Sequence, residues 1–221
     1  MQPEWIIYED EILIAINKPS GLSTQGTEKS ATNNLYYQLQ EFLDKRGHQK
    51  TYLALHHRLD SATSGIIIFC KNKNYNKYIS ELFKNHQIKK TYLAISEILD
   101  QKNLSNTWTT DAPLITYPFK HYKKSKISSK GKTSITHFKL IKTLNHYALI
   151  ECLPQTGRLH QIRVHLNSCQ LPIVGDYHYN KNFSKTALML HALKLEFNHP
   201  LSGKTMTLEA KTPDYFLLFP D

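Results

Sequence analysis

Two short segments gather the residue types that could do chemistry. In His57-Arg58-Leu59-Asp60-Ser61-Ala62-Thr63-Ser64-Gly65 a carboxylate sits two residues from an arginine, and the chain then runs straight into Ile66-Ile67-Ile68-Phe69-Cys70. A carboxylate beside an apolar strand is costly unless it is paired, so Asp60 calls for a cation nearby. In Gln155-Thr156-Gly157-Arg158-Leu159-His160-Gln161-Ile162-Arg163-Val164-His165-Leu166, arginines and amides alternate with apolar residues. That composition suits the binding of an anion on a packed scaffold. Taken singly, each segment reads as a structural ion pair or a surface loop.

Several familiar active sites are absent. Gly131-Lys132-Thr133 resembles the end of a phosphate-binding loop, but Lys126 stands where that loop requires glycine. Ser64 has no G-x-S-x-G elbow around it, and no G-x-G-x-x-G occurs. The pairs His56/His57 and His160/His165 lack the H-E-x-x-H frame, and five residues on a helix do not bring two histidines to one face. No metal and no nucleotide cofactor is expected.

The elements that must position these residues are short and alternate in character. Residues 5–8 and 12–16 read as two strands around the acidic turn Glu9-Asp10-Glu11, and Lys18-Pro19-Ser20-Gly21 then breaks regular structure. Leu35, Leu39, Phe42 and Leu43 predict a helix over 33–45, with Gly47 as its stop. Residues 65–70 form a continuous apolar run, the pattern of a strand covered on both faces. A helix over 74–85, a strand over 91–98, and two strands within 134–153 around Asn145-His146 follow. A helix within 157–168 and late strands at 187–197 and 205–210 complete the chain. The sum is an α+β fold, with a mixed, largely antiparallel β-sheet core flanked by a few helices and loops.

Composition narrows the partners. Among 221 residues, 28 Lys+Arg against 18 Asp+Glu give a net charge of +10, which favours a polyanion, most often nucleic acid. At 40% hydrophobic and 21% charged residues the chain is too apolar to be disordered. It has no apolar run of the ~18 residues a membrane span needs, and no signal peptide pattern at its start. Three cysteines, Cys70, Cys152 and Cys169, with no C-x-x-C pair, read as buried reduced thiols of a cytoplasmic protein. Residues 120–132 carry six lysines and no acid, and read as a solvated loop, with phosphate contact as the competing role.

Taken together, the motifs are far more specific than any one of them. His57-Arg58-Leu59-Asp60-x-x-Thr63-Ser64-Gly65 is followed by Lys90-x-Tyr92-x-Ala94 and Gly131-Lys132-x-x-x-Thr136. Thr156-Gly157-Arg158-x-His160-Gln161-Ile162-Arg163-x-His165-Leu166 and Pro172-Ile173-x-Gly175-Asp176-x-x-Tyr179 come next. His191-Ala192-x-x-Leu195-x-Phe197-x-His199-Pro200 closes the series, and Asn17-Lys18-Pro19-x-Gly21 opens it. In this order, over roughly residues 5–218, the chain resembles the RluA-type pseudouridine synthases of RNA.

The resemblance implies a pseudouridine synthase catalytic fold with a central RNA-binding cleft, filling 1–221 as one domain with no S4-like or other accessory domain. It implies isomerisation of uridine in structured tRNA or large-subunit (23S-type) rRNA stem-loops, by a monomer, without cofactor or metal. Asp60 matches the catalytic aspartate that attacks or assists breakage of the glycosidic bond. Tyr92 matches the tyrosine that stacks on uracil and helps remove the C5 proton, and Arg163 the arginine that pairs with the aspartate. Arg58 matches the arginine that fills the stack when uridine flips out. His57, Lys18, Lys130, Lys132, Arg158 and His160 fall on RNA-proximal motif positions.

The physics is compatible. A guanidinium beside a buried carboxylate keeps it ionised and oriented, and an arginine plane or an aromatic face offsets part of the lost stacking when a base is extruded. Departures are slight: Leu159 stands where the family usually has threonine, Ser134 where alanine is common, and His56 where an aliphatic residue is usual. The rival reading is a non-catalytic RNA-binding or RNA-chaperone protein that kept the fold. Asp60, Tyr92 and Arg163 together argue against it, because binding alone has no need of that carboxylate. A hydrolase built on Asp60 finds no nucleophile–base–orienter set.

Overall fold

The computed structural model describes residues 1–26, 31–101, 104–183 and 186–218. The chain forms two compact units, one of Met1–Lys89 with Ala192–Thr212, the other of Lys90–His191 with Pro213–Asp221.

The first unit begins with strands β1 (Ile6–Glu9) and β2 (Leu13–Lys18), joined through Asp10. The Asp10 carboxylate accepts from the backbone N–H of Ile12 and Leu13, both at 2.7 Å, and so fixes the turn. Helix α1 (Leu35–Gly47) starts at Asn34, whose side-chain oxygen accepts from the N–H of Tyr37 at 3.0 Å, a standard N-cap. Its buried Leu35, Leu39 and Leu43 recur every fourth residue, and it ends on His48 at φ 51° rather than on Gly47 itself. After a two-residue strand, β3 (Ala54–Leu55), β4 (Ser64–Cys70) is buried along all seven residues, as its unbroken apolar run predicts. Helix α2 (Asn76–Lys84) buries Ile79 and Leu82. β2 and β3 pair antiparallel with β4, which also neighbours the later strand β11 (Leu190–Asn198).

The second unit is an antiparallel array. β5 (Lys89–Glu97) pairs with β10 (Tyr147–Pro154), β10 with β9 (Ile135–Leu144), and β9 with β6 (Thr107–Asp111). The β9–β10 hairpin turns at Asn145, φ 54°, where the sequence placed it. Strands β7 (Leu114–Phe119) and β8 (Tyr122–Ile127) make a separate hairpin through Lys120, φ 51°. This corrects one expectation: residues 120–132 are not simply a loop. Their middle, Tyr122–Ile127, is a strand, because its backbone is paired along β7 while Lys123 and Lys126 reach solvent. Helix α3 (Gln161–Ser168) buries six consecutive residues, Gln161 through Leu166, including one arginine and one histidine. β12 (Thr205–Glu209) pairs with β11 in the first unit. Cys70 and Cys152 are buried thiols and Cys169 is half-buried.

Candidate active site

The loop before β4 carries Asp60, and the Lys18-Pro19-Ser20-Gly21 turn at the end of β2 holds it. Gly21 N–H donates to Ser61 O at 2.9 Å, and the Ser61 hydroxyl donates back to Gly21 O at 3.0 Å. Ser20 Oγ donates to Ala62 O at 2.7 Å. Thr24 Oγ1 donates to Leu59 O at 2.8 Å and accepts from Leu59 N–H at 3.2 Å. The loop itself turns tightly, with Thr63 N–H on Asp60 O at 3.1 Å. Gly65 then enters β4 at φ +112°, where a Cβ would lie 2.2 Å from Ala192 O, so no other residue fits.

Lys18 corrects a second expectation. It falls on an RNA-proximal motif position, yet its side chain is turned inward and 0% exposed. Its ammonium donates to the carbonyls of Leu22 (2.8 Å), Pro19 (2.9 Å) and Ser61 (3.1 Å), one for each of its three protons. Burial pushes its pKa down to about 7, against the opposing pull of Asp60. Lys18 therefore ties the turn to the loop from inside and also sets a cation near Asp60. His57 is likewise drawn inward: its Nε2 accepts from Ile68 N–H at 3.0 Å and its ring stacks on Phe83 at 4.4 Å. Arg58 is exposed and Asp60 half-buried.

In the second unit Tyr92 lies on β5 opposite Cys152 of β10, half-buried. Lys90, two residues earlier, shares its side of the strand, and burial lowers its pKa. The Thr156-Gly157-Arg158 loop is fastened by Gln161. The amide oxygen of Gln161 accepts from Thr156 Oγ1 (2.8 Å) and Arg158 N–H (3.0 Å), while its NH2 donates to Ile135 O and Thr136 Oγ1, both at 3.0 Å. The relay continues into His165. Ala112 O can only accept, so His165 Nε2 carries the proton toward it at 3.0 Å and Nδ1 accepts from Thr136 Oγ1 at 3.0 Å. Burial lowers the His165 pKa, in keeping with that neutral ring. His165 is thus part of the scaffold.

Arg163, 2% exposed, makes a two-pronged bond with Asp176. Its Nε donates to Oδ2 at 2.8 Å and its Nη2 to Oδ1 at 2.7 Å. Asp176 also accepts from the N–H groups of His178 (2.9 Å) and Tyr179 (3.2 Å). Burial raises its pKa, but Arg163 and those two N–H groups more than offset this and hold the carboxyl below its ordinary range. The Arg163 guanidinium also lies 5.3 Å from the Tyr179 ring centroid. His160, at φ 56°, sets Nδ1 2.8 Å from the Tyr179 hydroxyl, which also bonds both the N–H and the carbonyl of Ser125. Arg158 Nε donates to Thr133 O at 3.1 Å, and Lys130 and Lys132 are exposed. Sequence reasoning quoted Asp176, Tyr179 and Gln161 without giving them roles. One signal was available: Asp176 is the sole carboxylate between Glu151 and Glu196, in a stretch that contains Arg163.

The first unit thus holds a polar loop anchored on a buried strand, and the second an arginine fixed on a helix by the carboxylate of a Gly-Asp-x-x-Tyr turn. The family model described as RNA pseudouridylate synthase matches residues 12–168. The chain is 38% identical to "Ribosomal large subunit pseudouridine synthase C" of Rickettsia felis, over 96% of this chain and 69% of that one. It is 32% identical to "tRNA pseudouridine synthase C" of Pectobacterium carotovorum, over 93% and 58%. The solved structure "Human RNA Pseudouridylate Synthase Domain Containing 4" shares the fold, at TM-score 0.76 and 24% identity over 97% of this chain and 90% of that one. The chain belongs to the RNA pseudouridylate synthase family.

Proposed function

We propose that the chain converts uridine to pseudouridine in ribosomal or transfer RNA, acting in the cytoplasm as a monomer and as one catalytic domain. The relatives named for those RNAs support the substrate class, and the free thiols suit a reducing compartment. In this reading the Asp60 carboxylate opens the C1′–N1 glycosidic bond. The uracil turns, C5 bonds to C1′, and the C5 proton leaves with Tyr92 assisting as N1 takes one up. Substrate and product are isomers, so no cofactor is consumed. Arg163, steadied by Asp176, serves the charge of the reacting carboxylate, and Arg58 fills the stack vacated by the base.

The observation that carries the reading is the anchoring of the Asp60 loop: a surface loop has no need of a fully buried lysine and a reciprocal serine–glycine bond to hold it. Precise placement of one reacting group is what such anchoring provides. Tritium release from RNA labelled at uracil C5 tests it. Wild-type protein should release tritium and Asp60→Ala should not. No release from any cellular RNA refutes the enzyme, and equal release by Asp60→Ala refutes the assignment while leaving the enzyme.

A further inference from the structure

We infer that a row of rings on the second unit, four exposed and joined through the half-buried His178, outside the residues assigned to the reaction, is a stacking platform for unpaired RNA bases that flank the modified nucleotide. The inference rests on the reading of the chain as an enzyme acting on RNA. The row runs from the β7–β8 hairpin to the loop after Asp176. Successive ring centroids are 5.4 Å apart from Phe119 to Tyr122, 4.7 Å to His178, 3.9 Å to Tyr177 and 6.2 Å to Phe183. Neighbouring planes are tilted by 41° to 70°. Phe119 is 36% exposed, Tyr122 39%, Tyr177 58% and Phe183 44%. A contiguous aromatic surface left to water on a soluble unit marks an interaction site.

The charge around the row selects the partner. The Lys124 ammonium sits 4.8 Å from the Phe119 centroid and donates to His178 O at 2.7 Å, tying hairpin to loop. The surrounding residues 120–132 supply six lysines and no carboxylate. An acidic peptide would satisfy the lysines alone, whereas single-stranded RNA satisfies both features, bases on the rings and phosphates on the lysines. Position completes the argument. The N–H of His178 is bonded to Asp176, which holds Arg163, so the platform continues directly from the turn that orients that arginine. Burial and the nearby charges of Arg163 and His160 bring the His178 pKa down to about 4, which leaves a neutral ring in the row at physiological pH.

The test compares Tyr177→Ala and Tyr122→Ala with wild type for binding a fluorescent single-stranded RNA oligonucleotide and the same oligonucleotide made abasic. Both side chains are exposed, and an unchanged urea midpoint checks the fold. Each variant should bind the base-containing RNA roughly 5- to 100-fold more weakly. Neither should change binding of the abasic strand or the salt dependence, whereas Lys123→Ala should flatten that dependence. Losses under about threefold on base-containing RNA, or equal losses on the abasic strand, overturn the inference; the second result would make the row an anion surface. Wild-type protein that makes no pseudouridine refutes the functional reading instead, and base-dependent binding would then still stand.

Discussion

Replacing Asp176 by asparagine removes one negative charge and leaves its shape. Arg163 then keeps a full charge at 2% exposure with no carboxylate on its Nε and Nη2. The new amide can accept with one atom only, and its NH2 group must face either the guanidinium or the N–H groups of His178 and Tyr179. Removing one partner of a buried pair costs about 3–5 kcal/mol, against the ~5–15 kcal/mol by which proteins of this kind are stable. In urea, where unfolding free energy falls by about 1–3 kcal/mol per molar, the midpoint should drop by roughly 1–5 M. The sign with pH follows from the Asp176 pKa, which is lowered in the folded protein. The pair's contribution is complete above the unfolded carboxyl pKa of about 4 and fades as pH falls through the folded value. The gap between wild type and Asp176→Asn should therefore hold from pH 7 to about pH 5 and close at more acid pH. A variant within 1 kcal/mol of wild type at pH 7 would refute the argument, as would a gap that widens on acidification.

Lys18→Met tests the inner tie. With a folded pKa of about 7 against about 10.5 unfolded, the native state binds fewer protons between those values, so stability should rise with pH there. From pH 7 to 9 wild type should gain about 2 kcal/mol that the variant does not, read by urea unfolding at both pH values. Parallel pH curves would mean that the amine is not held as described. Gly21 and Gly65, two of the glycines at positive φ, should separate strain from crowding. Gly21→Ala, with nothing within 4 Å of the added methyl, should cost about 1 kcal/mol. Gly65→Ala, driven onto Ala192 O, should cost about 3 kcal/mol or more or fail to fold, and equal thermal shifts for the two would contradict the packing.

The elements readable from sequence were those whose own residues determine them. The run at 66–70 could only be a covered strand, and Leu35, Leu39 and Leu43 could only be one helical face. The β7–β8 hairpin was hidden because its lysines mimic a solvated loop, and its strand character comes from backbone pairing and from Ser125 bonding to Tyr179, 54 residues away. The burial of Lys18 is hidden from sequence for a similar reason. Residue type says solvent, but three carbonyls gathered by two distant turns make a buried place for an ammonium. In the candidate site, motif order pointed to Asp60, Tyr92 and Arg163. Asp176, which holds Arg163, and Gln161, which fastens the Thr156–Arg158 loop, act through three-dimensional geometry that residue type does not announce.

The Lys18 tie reaches only main-chain oxygens, those of Pro19, Leu22 and Ser61. Such a clasp is blind to the side chains whose carbonyls it grips. Leu22, and the Ser61 side chain apart from its bond to Gly21, can drift over evolutionary time without loosening it, whereas the lysine itself cannot. Arginine is too long and too planar to serve three converging carbonyls, and glutamine has too few protons. The surface of the loop is thus left to vary, while one interior residue keeps the backbone next to Asp60 where it is.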